Sequence, residues 1–251
     1  MGEPLLELKQ VSVAFGALRA VDGVTISVRA GERRAIIGPN GAGKTTLFNA
    51  IAGEVRASGG TVCFGGRDIT RLRTHRRAAL GIGRTFQITT LFGGLPVEEN
   101  LRLALRGQSS RKFSMFGSGA SDAGETEAVD RALESCGLTA RRGTLIRTLS
   151  YGEQRQLELA LALVGRPKML LLDEPAAGLS PAERVHMAEV IRGLSRDLTV
   201  VLIEHDMDLA LGLADSVTCL HNGQVLVEGA PDAMRANESV QEIYLGKPQH
   251  A

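Results

Sequence analysis

The stretch Gly38-Pro39-Asn40-Gly41-Ala42-Gly43-Lys44-Thr45-Thr46 brings together residue types that suit a polyphosphate. Its spacing, Gly-x-x-x-x-Gly-Lys-Thr, is that of a phosphate loop. Glycines let successive backbone N–H groups turn inward around the β- and γ-phosphates with no side chain in the way. Lys44 adds a cation to those phosphates, and Thr45 offers a hydroxyl to Mg²⁺. A helix starting here points its positive end at the anion. A second group of residues suits hydrolysis, which needs an in-line water, neutralised charge and a group to orient that water. Asp173 closes the apolar run Met169–Leu172, where a carboxylate can help hold Mg²⁺ and its waters. Glu174 follows it as the candidate base, a role worth about 10²–10⁴-fold in rate. The alternative is two acids that merely open a surface turn before Pro175.

These residues need strands and helices to hold them. Ala35–Ile37 suits a buried strand before the loop, and Thr46–Ile51 a helix after it, ended by Gly53. Leu6–Val13, Val24–Val28 and Thr61–Phe64 read as strands of a small antiparallel lobe, with Ala17–Gly23 as a link. Met169–Leu172 and Leu198–Ile203 are uninterrupted apolar runs, as in parallel strands buried on both faces. Pro181–Leu194 predicts a helix capped by Ser180, with Glu183 completing a capping box. Met207–Leu213 predicts another, and Asn222-Gly223 a hairpin between Val217–His221 and Gln224–Val227. From Phe92 to Leu149 the pattern is helical, with Gln108–Gly124 a loop rich in Ser and Gly. The expected architecture is α/β: a mainly parallel core with the β lobe over residues 1–90 and 160–251, and an inserted helical subdomain over 91–159.

With 251 residues and a net charge of +1, the chain can bury a sizeable core and shows no bias toward nucleic acid. The 3 cysteines, Cys63, Cys136 and Cys219, form neither a metal spacing nor a disulfide framework and suit a reducing cytosol. No apolar run approaches the roughly 20 residues of a membrane span. A membrane role would therefore need a partner. No Asn-Lys-x-Asp string reads guanine. His75, His186, His221 and His250 carry no chemical signal.

Leu149-Ser150-Tyr151-Gly152-Glu153-Gln154 opens a helix running to about Val164, with Ser150 and Glu153 in a capping-box pattern. Those residues fit a plain cap or a second anion site made of a Ser hydroxyl and a side-chain-free Gly152. The order of phosphate loop, Arg84-Thr85-Phe86-Gln87, this Leu-Ser-x-Gly-Glu-Gln string, Leu-Leu-Leu-Asp-Glu-Pro and a lone His205 after a strand resembles the ATPase subunit of an ABC transporter over almost the whole chain. Gln87 with Leu91-Phe92, Val97-Glu98-Glu99-Asn100-Leu101, Asp173 to Pro181, Ile203-Glu204-His205-Asp206-Met207 and a tail at Tyr244-Leu245-Gly246 resemble the branched-chain amino acid uptake branch.

That resemblance implies a P-loop NTPase fold, ATP and Mg²⁺, and ATP hydrolysis that drives a membrane permease. It also implies a head-to-tail pair in which Ser150, Gly152 and Glu153 of one subunit face the γ-phosphate held by the other's loop. By resemblance Gln87 reaches Mg²⁺ and the attacking water, His205 contacts the γ-phosphate, and Phe15 stacks on adenine. Implied partners are permease subunits, a second ATPase subunit (the same chain or a sibling) and, indirectly, a solute-binding protein, at the cytoplasmic face of the membrane. Tyr151 stands in place of the more usual Gly, and Ser180 where the family often has an Asp that links the two sites; Ser180's share in that role stays open. An exporter or lipid-moving ATPase, and a nucleotide-gated switch without useful turnover, are the alternatives.

Overall fold

A computed structural model describes residues 3–85, 91–108 and 119–245. Along the chain come β1 (Pro4–Phe15), β2 (Leu18–Arg29), β3 (Arg33–Ile37), α1 (Lys44–Ala52), β4 (Gly59–Phe64), β5 (Arg67–Asp68), α2 (Thr74–Ala79) and β6 (Ile82–Arg84). Then follow α3 (Val97–Gln108), α4 (Gly119–Ser135), α5 (Tyr151–Leu163), β7 (Met169–Asp173) and α6 (Pro181–Gly193). The chain closes with β8 (Thr199–Ile203), α7 (Met207–Leu213), β9 (Ser216–His221), β10 (Gln224–Gly229), α8 (Pro231–Arg235) and α9 (Glu238–Leu245). By packing it divides into two units: residues 1–77, 171–174 and 196–251, and residues 78–170 with 175–195.

The first unit holds two sheets. In one, the strand order is β2-β1-β4-β5, antiparallel throughout. Leu6, Leu8, Val11 and Val13 of β1 and Val21, Val24, Ile26 and Val28 of β2 are buried, alternating with outward residues as a one-sided sheet requires. The expected link Ala17–Gly23 is a correction. Only Gly16 and Ala17 turn; Leu18 already pairs with Phe15, Arg19 with Ala14 and Val21 with Val13. Gly23, with φ 65, sits beside a register shift inside the strand. A glycine in such a place marks a bulge as readily as a turn.

In the other sheet β3 lies between β8 and β9, parallel to both, and the order runs β10-β9-β3-β8-β7. Every residue of β3, β7 and β8 is buried, and all but Arg33, Arg34, Asp173 and Thr199 at their ends are apolar, as suits strands covered on both faces. The turn at Asn222–Gly223 joins antiparallel β9 and β10. Buried Arg77 donates to the carbonyls of Ala50 and Ile51 at 2.7 Å and of Leu72 at 2.9 Å. It therefore satisfies the last turn of α1, and Gly53 at φ 81 ends that helix.

In the second unit α3, α4 and α5 pack on one another, and Val97 and Leu101, Val129 and Leu133, and Leu157 and Ala160 of these helices are buried. Here the expected loop Gln108–Gly124 is corrected in part. Residues 119–124 belong to α4, because the buried face at Ala128, Val129, Ala132 and Leu133 outweighs the weak helix propensity of the Gly and Ser upstream. Residues 109–118 lie outside the described residues. Among the described residues no helix is long and apolar enough to cross a membrane.

Candidate functional site

The chain leaves β3 at Ile37 and turns through Gly38 to Gly43 into α1. Gly38, Gly41 and Gly43 take φ of 147, 80 and 97°. A Cβ on Gly38 would stand 2.2 Å from the Leu220 carbonyl oxygen, and one on Gly43 2.3 Å from that of Ala20. Those two positions therefore admit only glycine, while a Cβ on Gly41 would meet open space. Ala42 N–H donates to the Pro39 carbonyl at 3.2 Å, and Gly223 N–H to that of Ala42 at 3.1 Å, so the β9–β10 turn fixes the loop. Asn40 is exposed, and Thr45 and Thr46 are half-buried at the first turn of α1.

Lys44 is only 5% exposed, and its ammonium donates to the carbonyls of Gly38 at 2.7 Å and Pro39 at 2.9 Å. Burial pulls its pKa below the usual lysine range, and the carboxylates of Glu174 and Asp173 oppose that. The N-terminus of α1 starts at Gly43 with no side-chain cap and no acidic residue in its first turn. Its first N–H groups and dipole are thus left for an external anion.

Buried Asp173 ends β7, at the carboxyl edge where parallel sheets place their ligands. Glu174 follows with φ 51, a left-handed backbone that costs a non-glycine residue about 1–2 kcal/mol. Two contacts hold it there. Its N–H donates to the Ile203 carbonyl at 3.0 Å, and its Oε1 lies 2.6 Å from Nε2 of His205, which donates to the carboxylate. Strain of this kind persists only where the surroundings fix it. His205 itself stands between the end of β8 and Asp206, whose Oδ1 caps α7 by accepting from Leu209 N–H at 3.1 Å.

In the second unit the N-terminus of α5 is closed by its own chain. Ser150 Oγ accepts from Glu153 N–H at 3.2 Å, and Glu153 Oε2 accepts from Ser150 N–H at 2.8 Å. That backbone bond, with Arg141 donating to Oε1 at 2.6 Å, holds the Glu153 carboxyl below the usual range. Ser180 and Glu183 build the same box on α6. The Glu183 carboxylate stands against Gly152: a Cβ on Gly152 would lie 2.6 Å from Glu183 Oε1. Tyr151 does not cover the end of α5. Its hydroxyl donates to the Ala177 carbonyl at 3.4 Å, and its ring lies 5.3 Å from the Arg155 guanidinium carbon.

The residues expected to do chemistry thus fall into two groups. Gly38 to Thr46, Asp173, Glu174 and His205 lie in the first unit, and Ser150, Gly152 and Glu153 in the second. Phe15 ends β1 with 52% of its surface exposed, an unspent aromatic face. Gln87 lies outside the described residues. Glu183 was legible as a cap from the Ser-x-x-Glu spacing. Its reach to Gly152 left no local signal, because it depends on how two helices meet.

The model of the family described as "ABC transporter" matches residues 21–177. The chain is 39% identical to the "High-affinity branched-chain amino acid transport ATP-binding protein BraF" of Pseudomonas aeruginosa, over 98% of this chain and 100% of that protein. It is 38% identical to the LivG protein of Escherichia coli K12, which bears the same description, with the same coverage. The crystal structure of a nucleotide-free ATP-binding cassette from an ABC transporter matches with a TM-score of 0.84 and 31% identity, over 97% of this chain and 100% of that one. An ATP-binding cassette in its ADP conformation matches with a TM-score of 0.83 and 30% identity, over 97% and 99%.

Proposed function

We propose, from the premise that the chain belongs to the ABC transporter family, that it is the ATP-hydrolysing subunit of a membrane importer for branched-chain or related hydrophobic amino acids. The observation that carries the ATPase reading is the glycine cradle at the uncapped start of α1, with Lys44 next to Asp173 and Glu174. The names of relatives matched from end to end carry the solute class.

In this reading the N–H groups of Gly41, Gly43, Lys44, Thr45 and Thr46 and the Lys44 ammonium take the β- and γ-phosphates. Gly38, Pro39, Asn40 and Ala42 shape the loop, and Phe15 stacks on adenine. Glu174 orients the attacking water and accepts its proton. His205, already bonded to that carboxylate, fixes where it points. Ser150 and Gly152 of a second subunit, aligned by Glu153, meet the γ-phosphate. Mg²⁺ suits the hard oxygens of Thr45 and Asp173, with Gln87 in addition. Among the described residues no three His, Cys, Asp or Glu cluster as a metal cage, so the ion would rely on phosphate and water for its other ligands. When bound, it would neutralise charge on the phosphates.

The chain acts as a peripheral protein on the cytoplasmic face, beside permease subunits and a second ATPase subunit, with a solute-binding protein as an indirect partner. Glu174→Gln tests the enzyme reading. Hydrolysis falls by at least about 10²-fold while ATP still binds. Wild-type turnover in that variant removes Glu174 from its role. Co-purification from native membranes tests the transport reading, which recovery without any membrane protein would sink.

A further inference from the structure

The capping carboxylate of α6 has two oxygens with two different tasks. Oε2 serves its own helix, accepting from Ser180 N–H at 2.9 Å and Ser180 Oγ at 2.7 Å. Oε1 reaches to the neighbouring helix and lies 2.6 Å from the point that a Cβ of residue 152 would occupy. Residue 152 must be glycine for the carboxylate to come so close. A second tie runs parallel to this one. The Tyr151 hydroxyl bonds the Ala177 carbonyl, and a Cβ on Gly178, whose φ is 76, would stand 3.0 Å from that hydroxyl. The start of α5 therefore meets α6 at Glu183 and the turn before α6 at Ala177 and Gly178.

We propose that Glu183 is a positioning residue that competes with the incoming γ-phosphate: its carboxylate stands against Gly152 at the start of α5 until the phosphate of a second subunit displaces it. This rests on the reading above, in which Ser150 and Gly152 meet that phosphate. A helix N-terminus favours an anion, and here the resident anion belongs to the chain itself. A γ-phosphate carries more charge and more acceptor oxygens than one carboxylate, so ATP wins the exchange. ADP has no γ-phosphate to offer, and Glu183 returns to Gly152. Because Oε2 stays on Ser180, the displaced carboxylate moves the first turn of α6, which begins seven residues after Glu174. In this way the state of the second phosphate contact reaches the loop leading from the candidate base, at the place where Ser180 stands instead of Asp.

Glu183→Gln isolates the effect. Its amide oxygen keeps the Ser180 cap, since Gln serves in a capping box. Its NH₂ then stands in place of the anionic oxygen beside Gly152, so the negative charge there is lost. In the assembly recovered with its membrane partners, KM for ATP falls about three- to tenfold while kcat changes less than about twofold. Ser180→Ala weakens the cap but keeps the carboxylate, and KM does not fall. Ser150→Arg separates the two readings. If it abolishes hydrolysis and Glu183→Gln leaves KM unchanged or higher, this proposal alone is overturned. If Ser150→Arg hydrolyses ATP normally, the second phosphate contact and the proposal fall together.

Discussion

α1 and α5 both begin where a phosphate is expected, yet their first turns are built in opposite ways. α1 starts on Gly43, without a side-chain cap and without an acid in its first turn. α5 starts on Ser150 with a complete capping box, and the Glu183 carboxylate of α6 stands against Gly152 as well. An open end leaves the orphan N–H groups for a ligand at the expense of helix stability. A closed end is stable alone and must exchange a resident anion for the ligand. In the proposed reading the first end holds nucleotide in a single chain, and the second responds only when another chain presents a phosphate.

The largest test of this contrast is Lys44→Ala. It removes the one cation in the loop and its bonds to the carbonyls of Gly38 and Pro39. ATP affinity, read by calorimetry, falls at least about 100-fold, as expected for losing charge-assisted bonds. Unchanged affinity would mean that the open end of α1 is not the nucleotide site.

Gly41 offers a sharper comparison, because a Cβ there meets open space. Gly41→Asn and Gly41→Asp share size and tolerance of left-handed backbone, and they differ in charge. The Asp variant binds ATP about fivefold to tenfold more weakly than the Asn variant, through repulsion at an anion-seeking helix end. Equal affinities would remove electrostatics from the account of this loop.

At the closed end the expected effect is on stability. Ser150→Ala costs about 1 kcal/mol, a drop in Tm of about 2–4 °C, with nucleotide affinity of the single chain unchanged. A loss of that affinity would contradict the division of labour. The smallest effect is a pH dependence. The Glu153 carboxyl lies below its ordinary value in the fold, so its share of stability is full above the unfolded value of about 4.3 and is lost as pH falls through the folded one. Glu153→Gln therefore loses less Tm than the wild type between pH 7 and pH 3.

Most of the first group of residues could be read along the chain, because strand, loop and helix there are consecutive and glycine spacing is a local property. Helix boundaries with strong caps, at Ser150, Ser180 and Gly53, were legible for the same reason. The misjudged segments lack such signals. Leu18–Gly23 looked like a link because Gly23 marks a bulge as well as a turn, and Gly119–Gly124 looked like a loop until the buried face of α4 set its state.

What the sequence by itself determined is the inventory: a phosphate loop, a strand ending in Asp173 with Glu174 next to it, a capped helix after Leu149, and the order in which they come. Short-range rules of spacing and propensity suffice for these. Tertiary structure alone decided the left-handed backbone of Glu174, its bond to His205 beyond the end of β8, the burial of Lys44 against its own loop, and the meeting of Glu183 with Gly152. Each joins residues that no periodicity links, or sets a backbone state that only surrounding contacts can impose. Such features become determinate once the sheet and helices have packed.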